Sequence, residues 1–206
     1  MKITIRANVV DISSDSPNPD DQFLIDTNVW YWMVYERASL NPNPPQAYQL
    51  DHYPAYLSKA LEQQAAIFWS SLSLAELAHN IEGTERQIYS DTAGRPISVK
   101  EFRHDYPQNR MRINNLIRDC WHQVKGFGGC APTLLDEATT DASMSTFLNA
   151  QVDGYDLFII TAMQSSNITN VITDDGDYAS VAGLTVFTAN PTVIRLAKAA
   201  NRLRTR

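Results

Sequence analysis

Two periodicities divide the chain. In "KITIRANVV" Ile3, Ile5 and Val9 alternate with Lys2, Thr4, Arg6 and Asn8, which predicts an edge strand. The turn-rich "DISSDSPNPDD" follows as a loop. "QFLI" reads as a short buried strand that runs into Asp26, and "TNVWYWMVYERA" reads as a helix. The three prolines of "SLNPNPPQAYQLDHY" predict a long loop, with Pro54 starting the helix "AYLSKALEQQ". "AAIFWSS" is a second buried strand. "SLAELAHNIEG" then places Leu74, Leu77, Ala78 and Ile81 at helical spacing and ends on Gly83.

Residues 83–108 show little periodicity. The next helix is strongly patterned: Ile113, Leu116, Ile117, Cys120, Trp121 and Val124 share one face, and Gly126, Gly128 and Gly129 end it. "DASMSTFLNA" predicts a short helix capped by Asp141. "YDLFIITAMQSSN" is apolar almost all round, as a helix buried between other elements would be. "NVIT" and "LTVF" are strands on either side of a "DDGDY" turn. Asn190 and Pro191 make an N-cap and first turn for a last helix, "TVIRLAKAANRLRTR". Repeated strand–helix order predicts a single α/β domain over 1–206, an α/β/α sandwich around a mostly parallel sheet.

Composition narrows the classes. An apolar content of 44% supports a sizeable core, and 19% charged residues argue against global disorder. No apolar run is long enough to span a membrane, and the first residues lack a signal-peptide core, so a cytoplasmic protein is expected. Cys120 and Cys130 have no metal-site spacing and read as reduced structural thiols. The net charge of −6 hides two basic segments. Residues 95–125 hold seven Lys/Arg against three Asp/Glu, and residues 191–206 hold five against none. These are either ordinary solvated helix faces or strips that contact phosphate.

Asp26 interrupts an apolar run, and a buried carboxylate is costly unless something pairs with it. Asp174, Asp175 and Asp177 follow another buried strand. Glu76 lies in the first turn of a helix, and Asp156 opens one. In open parallel sheets ligands bind at the strand ends where such residues sit. Each also has a plain reading. Ser73 and Glu76 fit a capping box, Asp156 favours a helix N-terminus, and "TDDGDY" makes a turn with side-chain hydrogen bonds.

Taken together, "FLIDTNVW", "SLSLAEL", "DGYDLFIITAM" and "NVITDDGDY" resemble, in order and context, the PIN domain, a nuclease domain of many prokaryotic toxins and of eukaryotic RNA-decay enzymes. The resemblance covers about residues 22–82 and 150–190. It sets residues 1–21 apart as an N-terminal extension and about 84–150 as a helical insertion, longer than in the compact prokaryotic toxins. It implies a metal-dependent endoribonuclease whose acidic residues are Asp26, Glu76, Asp156 and Asp175, with Asp177 auxiliary. Thr27, Asn28, Ser71 and Thr173 fall at polar positions that could orient them. Oxygen-only ligands point to Mg²⁺ or Mn²⁺.

RNA is then the expected partner, held by Arg110, Arg112, Arg118 and Lys125 and by the C-terminal helix. The aromatic residues after Asp26 (Trp30, Tyr31, Trp32 and Tyr35) serve as core or as base-stacking surfaces. A type II antitoxin with an arginine for the acidic cleft, and homodimerisation, follow from the resemblance alone. The alternative is a non-catalytic PIN-fold module that binds RNA or protein. A haloacid-dehalogenase-type phosphatase would need an acid where Asn28 stands. A receiver domain would need a strand-end lysine for which there is no obvious candidate.

Overall fold

The computed structural model of the chain describes residues 3–206. Its elements in order are β1 (Asn8–Asp11), β2 (Gln22–Ile25), α1 (Thr27–Val34), α2 (Ala47–Glu62), β3 (Ala66–Ser70), α3 (Ser73–Ala93), α4 (Val99–Asp105), α5 (Pro107–Phe127), β4 (Gly129–Ala131), α6 (Glu137–Asn149), α7 (Asp156–Ser165), β5 (Asn170–Ile172), β6 (Thr185–Thr188), α8 (Pro191–Ala199) and β7 (Leu203–Arg204). The strands form one sheet in the order β4-β3-β2-β5-β6-β1-β7, and every pair is parallel.

Period-2 alternation decides which side chain goes to which layer. Phe23 and Ile25 of β2, Ile172 of β5 and Phe187 of β6 face a core shared with α1, α2, α3 and α5. Leu24, Val171 and Val186 face the opposite core, under α7 and α8. Helices cover both faces, so the α/β/α sandwich is the fold. Among the described residues no helix is long and apolar enough to cross a membrane.

Several boundaries differ from the sequence reading. The first strand begins at Asn8 and not at the start of "KITIRANVV"; Lys2 lies outside the described residues. β1 sits between β6 and β7, so residues 8–11 are part of the sheet and not an appended extension. Residues 84–150 are not wholly helical either, because β4 pairs with β3 at the sheet edge. A Cβ on Gly128 would stand 2.1 Å from the Ile67 carbonyl oxygen, so only glycine lets the chain enter β4 this close to β3.

α2 starts seven residues before Pro54, which lies inside it. The Gln46 N–H donates to Gln49 Oε1 at 2.7 Å and starts the helix. Its buried face is Tyr53, Tyr56, Leu57 and Ala60, at spacings of three and four residues. α3 runs through Gly83 to Gly94, whose φ of 67° ends it in the left-handed region. α6 is capped by Asp136, which accepts from the Thr139 N–H at 2.8 Å, and not by Asp141. The last helix does end earlier than expected. Residues 203–204 become β7 beside β1, and Arg206 pairs with Asp15 and Asp21 while lying over the Phe187 ring. Asn190 caps α8 as expected, accepting from the Thr192 N–H at 3.0 Å.

Candidate active site

The sheet order locates a crevice. From β2 the chain moves outward through β3 and β4, then returns to lay β5 on the other side of β2 and continues through β6. The strand order therefore reverses between β2 and β5, the place where open parallel sheets bind ligands beyond their C-terminal ends. Ile25 pairs with Ile172 there, so the residues that follow, Asp26 and Thr173, emerge side by side.

A pocket of about 300 Å³ opens at this point, lined by Asp26, Thr27, Asn28, Glu76, His79, Asn80, Tyr155, Asp156 and Asp175. The four acidic residues named from the sequence thus come from four different elements to one cavity. Among the described residues no lysine or arginine lines it.

Each carboxylate is fixed through one oxygen. Thr173 Oγ1 donates to Asp26 Oδ2 at 2.7 Å, and Thr27 Oγ1 donates to Glu76 Oε2 at 2.5 Å. The Tyr178 hydroxyl donates to Asp156 Oδ1 at 2.7 Å, and the Asp177 N–H donates to Asp175 Oδ1 at 2.8 Å. Thr173 Oγ1 also accepts the Asp175 N–H at 2.9 Å, so one hydroxyl ties the two strand ends together. The second oxygen of each of the four takes no hydrogen bond among the described residues.

Burial without a counter-charge raises the proton affinity of Asp26, Asp156 and Glu76. Asp26, 4% exposed, is pushed well above the ordinary carboxylate range by burial first, then by the charge of Asp156, against the opposing Thr173 hydrogen bond. Burial raises Asp156 to about 7; the Tyr178 hydrogen bond opposes this, and Glu76 and Asp175 add to it. Glu76 is raised by burial, with the Thr27 hydrogen bond opposing and Asp175 adding.

The plain readings fare unevenly. There is no capping box: Glu76 bonds to Thr27, and Ser73 Oγ is buried without a partner. Asp156 does not cap α7 through its side chain but is held by Tyr178. "DDGDY" does form a turn with a side-chain bond at Asp175, continuing as a short 3₁₀ helix. Asp174 faces elsewhere and takes donors from Tyr48, Gln49 and Tyr53 at 3.0, 2.6 and 2.6 Å, so it anchors α2.

Thr27 and Asn28 line the pocket, and the hydroxyls of Thr27 and Thr173 donate to Glu76 and Asp26. Asp177 supplies the N–H under Asp175 and does not line the pocket. Ser71 is exposed and also lies off the pocket. Tyr178, His79, Asn80 and Tyr155 were not singled out. They carry no short-range signal, because a lone tyrosine or histidine on a helix reads as core or surface.

The basic strip is divided. Arg110 pairs with Glu82 at 2.6 Å, alongside Arg103. Arg112 pairs with the buried Glu85 at 2.6 Å. These two thus hold glutamates of α3. Arg118 pairs only with the adjacent exposed Asp119 at 3.0 Å, and Lys125 is an exposed residue of the last turn of α5. Of the aromatic residues after Asp26, Trp30 is fully buried and stacks on Phe127. Tyr31 and Tyr35 bond to Thr84 and Glu85, and Trp32 is half-buried against Tyr53.

No three Asp, Glu, His or Cys side chains among the described residues stand close enough to share one metal ion. The carboxylates instead ring the cavity, with free oxygens and uncompensated charge. That donor set fits a hard, hydrated cation such as Mg²⁺, which binds through one or two carboxylates and keeps several waters.

The electrostatics predict a pH-dependent response to metal. A carboxyl whose folded pKa is raised contributes full stability below its unfolded value and loses it as pH climbs through the folded one. For Asp156 that window runs from about 4 to about 7, and Asp26 and Glu76 act in the same direction. In chelator the melting temperature is expected to fall across this window. The loss approaches roughly 1.4 kcal/mol per pH unit for each proton involved. Millimolar Mg²⁺ should raise it little at pH 5 and clearly at pH 8; a metal effect equal at both would sink this account of the pocket.

Compared with known protein families and with curated proteins, the chain matches none by sequence.

Proposed function

We propose that the chain is a Mg²⁺- or Mn²⁺-dependent ribonuclease of the PIN kind, hydrolysing RNA phosphodiester bonds in this pocket. The observation that carries the reading is the set of four carboxylates at the strand-order reversal, each anchored through one oxygen and open at the other.

In this reading one or two of Asp26, Glu76, Asp156 and Asp175 would hold the metal directly, and the others would meet it through its waters. Bound there, such an ion would supply an activated water and charge to stabilise the leaving oxygen. The protein's part is positioning. Thr173, Thr27 and Tyr178 lock the carboxylates before substrate arrives, so no reorganisation is needed when charge develops. Asn28, Asn80 and His79 offer polar groups at the rim of the same pocket. The metal also explains how an acidic cavity accepts a phosphodiester.

The decisive experiment is cleavage of labelled single-stranded and transfer RNA with Mg²⁺, with Mn²⁺, or with excess chelator. Cleavage in either metal and none in chelator is expected; cleavage indifferent to chelator would refute the reading. A second reading, a non-catalytic module that binds RNA or protein, draws on the wide spacing of the carboxylates, no three of which share an ion position among the described residues. RNA binding with no cleavage in either metal would select it.

A groove of about 840 Å³ supports the strand path. It shares His79 and Tyr155 with the acidic pocket and is lined further on by Trp121, Ile117, Arg103, Arg110 and Arg118. Arg118 is the cation there with the weakest internal commitment, since an exposed pair contributes little. Arg118→Ala is expected to lower RNA affinity for all sequences and to reduce the slope of log affinity against log salt by about 0.7–1. Arg112→Ala should leave that slope unchanged, because Arg112 serves Glu85. Equal slopes for wild type and Arg118→Ala would remove this groove from the strand path.

A further inference from the structure

A second cavity of about 390 Å³ adjoins the acidic one and shares Asn28, Asn80 and Asp175 with it. It lies under the proline-rich crossing from α1 to α2, and its other walls include Tyr31, Trp32, Asn41 and Asn43. No lysine or arginine among the described residues lines it. Asp174, in its wall, already takes the three donors from α2. Nothing in this cavity therefore selects a phosphate.

Its chemistry selects a neutral, planar ligand with donors and acceptors on its edge. Carboxamides both donate and accept, and Asn and Gln pair with base edges through two bonds at once. The side-chain amides of Asn43 and Asn80 hold no hydrogen bond among the described residues. Asn41 is fixed, donating to Thr84 Oγ1 at 2.8 Å and accepting the Asn43 N–H at 2.8 Å. Pro42, Pro44 and Pro45 restrict the crossing further. Trp32, half-buried against Tyr53, offers an aromatic surface on which a base could stack.

We propose that this cavity receives one nucleobase of the substrate strand, next to the bond cut in the acidic pocket, and sets a base preference at that position. The proposal rests on the ribonuclease reading. The strand then runs over α3 from the arginine-lined groove, across the carboxylates, to a cavity that reads a base. Charge positions the strand on one side and carboxamides discriminate on the other.

Two measurements on the full chain test it. Adenosine, guanosine, cytidine and uridine are titrated singly while the side-chain amide resonances of Asn43 and Asn80 are followed by NMR. Cleavage of a random-sequence single-stranded RNA in Mg²⁺ or Mn²⁺ is then sequenced for wild type and Asn43→Ala. At least one nucleoside should shift both amides. Wild type should prefer that base at one position beside the cut, and Asn43→Ala should flatten the preference by about tenfold. Asn43 lies on the exposed loop with its side chain unbonded, so the variant keeps the fold, which a thermal melt checks.

Cleavage without base preference, with no nucleoside shift, would overturn the base cavity and leave the nuclease intact. Localised shifts without cleavage would keep the base cavity and refute the nuclease. Neither shifts nor cleavage would refute both.

Discussion

Asp26→Asn is expected to lower metal-dependent cleavage by about 10²–10³-fold or more while raising the melting temperature of the metal-free protein. The two signs belong together. Asparagine keeps the shape of the side chain and still accepts the Thr173 hydrogen bond, now at 2.7 Å to Asp26 Oδ2. What disappears is a buried negative charge among three others, whose own proton affinity burial has raised. Losing one electrostatic group in a preorganised site costs activity on that scale. Losing an unpaired buried charge stabilises, by roughly 2–4 °C for each kcal/mol recovered in a chain of this size. The gain should be large at pH 8 and vanish as the pH falls below about 4, where Asp26 becomes protonated in both states. A purely structural Asp26 would give a lower melting temperature, and that result would sink the account. Unchanged cleavage would indicate another catalytic site.

The double variant Arg37→Ala/Arg112→Ala is expected to cost about 3–5 kcal/mol of stability. Glu85 has a fully buried side chain and accepts from Arg37 Nη1 at 2.8 Å, Arg112 Nη2 at 2.6 Å and the Tyr35 hydroxyl at 2.8 Å. Without both arginines a buried carboxylate is left with one neutral donor, and the desolvation penalty is no longer offset. Urea unfolding measures this directly, with Arg118→Ala as the surface comparison. A loss below about 0.5 kcal/mol, the usual range for a surface change, would mean that the Glu85 pairs are not structural.

The contrast between Arg112 and Arg118 illustrates how far a charge count reaches. Both belong to the same basic segment, and their number and spacing were plain in the sequence. Only the fold reveals that Arg110 and Arg112 point at Glu82 and Glu85, because those partners lie on the neighbouring helix α3, 2.6 Å away in space but more than 25 residues away in sequence. The same fact explains why α3 was cut short. Its buried stripe continues past Ile81 through Thr84 and Glu85, which are polar. A hydrophobic pattern stops there, but the helix does not, since Tyr31, Asn41, Tyr35 and the arginines satisfy those groups. α2 was likewise hidden by Pro54 and by its unbroken contact with Asp174, a residue more than 120 positions away.

What the sequence determined by itself is what depends on near neighbours. Alternation and apolar runs placed β2, β3, β5 and β6 almost to the residue. Helical spacing placed the core of α5 and α7, and Asn190–Pro191 fixed the start of α8. The same local signals put Asp26, Glu76, Asp156 and Asp175 at element boundaries. The tertiary structure decided everything that rests on distant partners. It set the strand order that brings β2 beside β5, the Thr173 hydroxyl that joins Asp26 to Asp175, and the Tyr178 hydroxyl under Asp156. It also set β1 between β6 and β7 and made residues 129–131 a strand beside β3. With glycine, cysteine and alanine at 129–131, β4 carries no apolar or alternating pattern of its own. Its backbone groups become a strand because a neighbour's edge is there to pair with them.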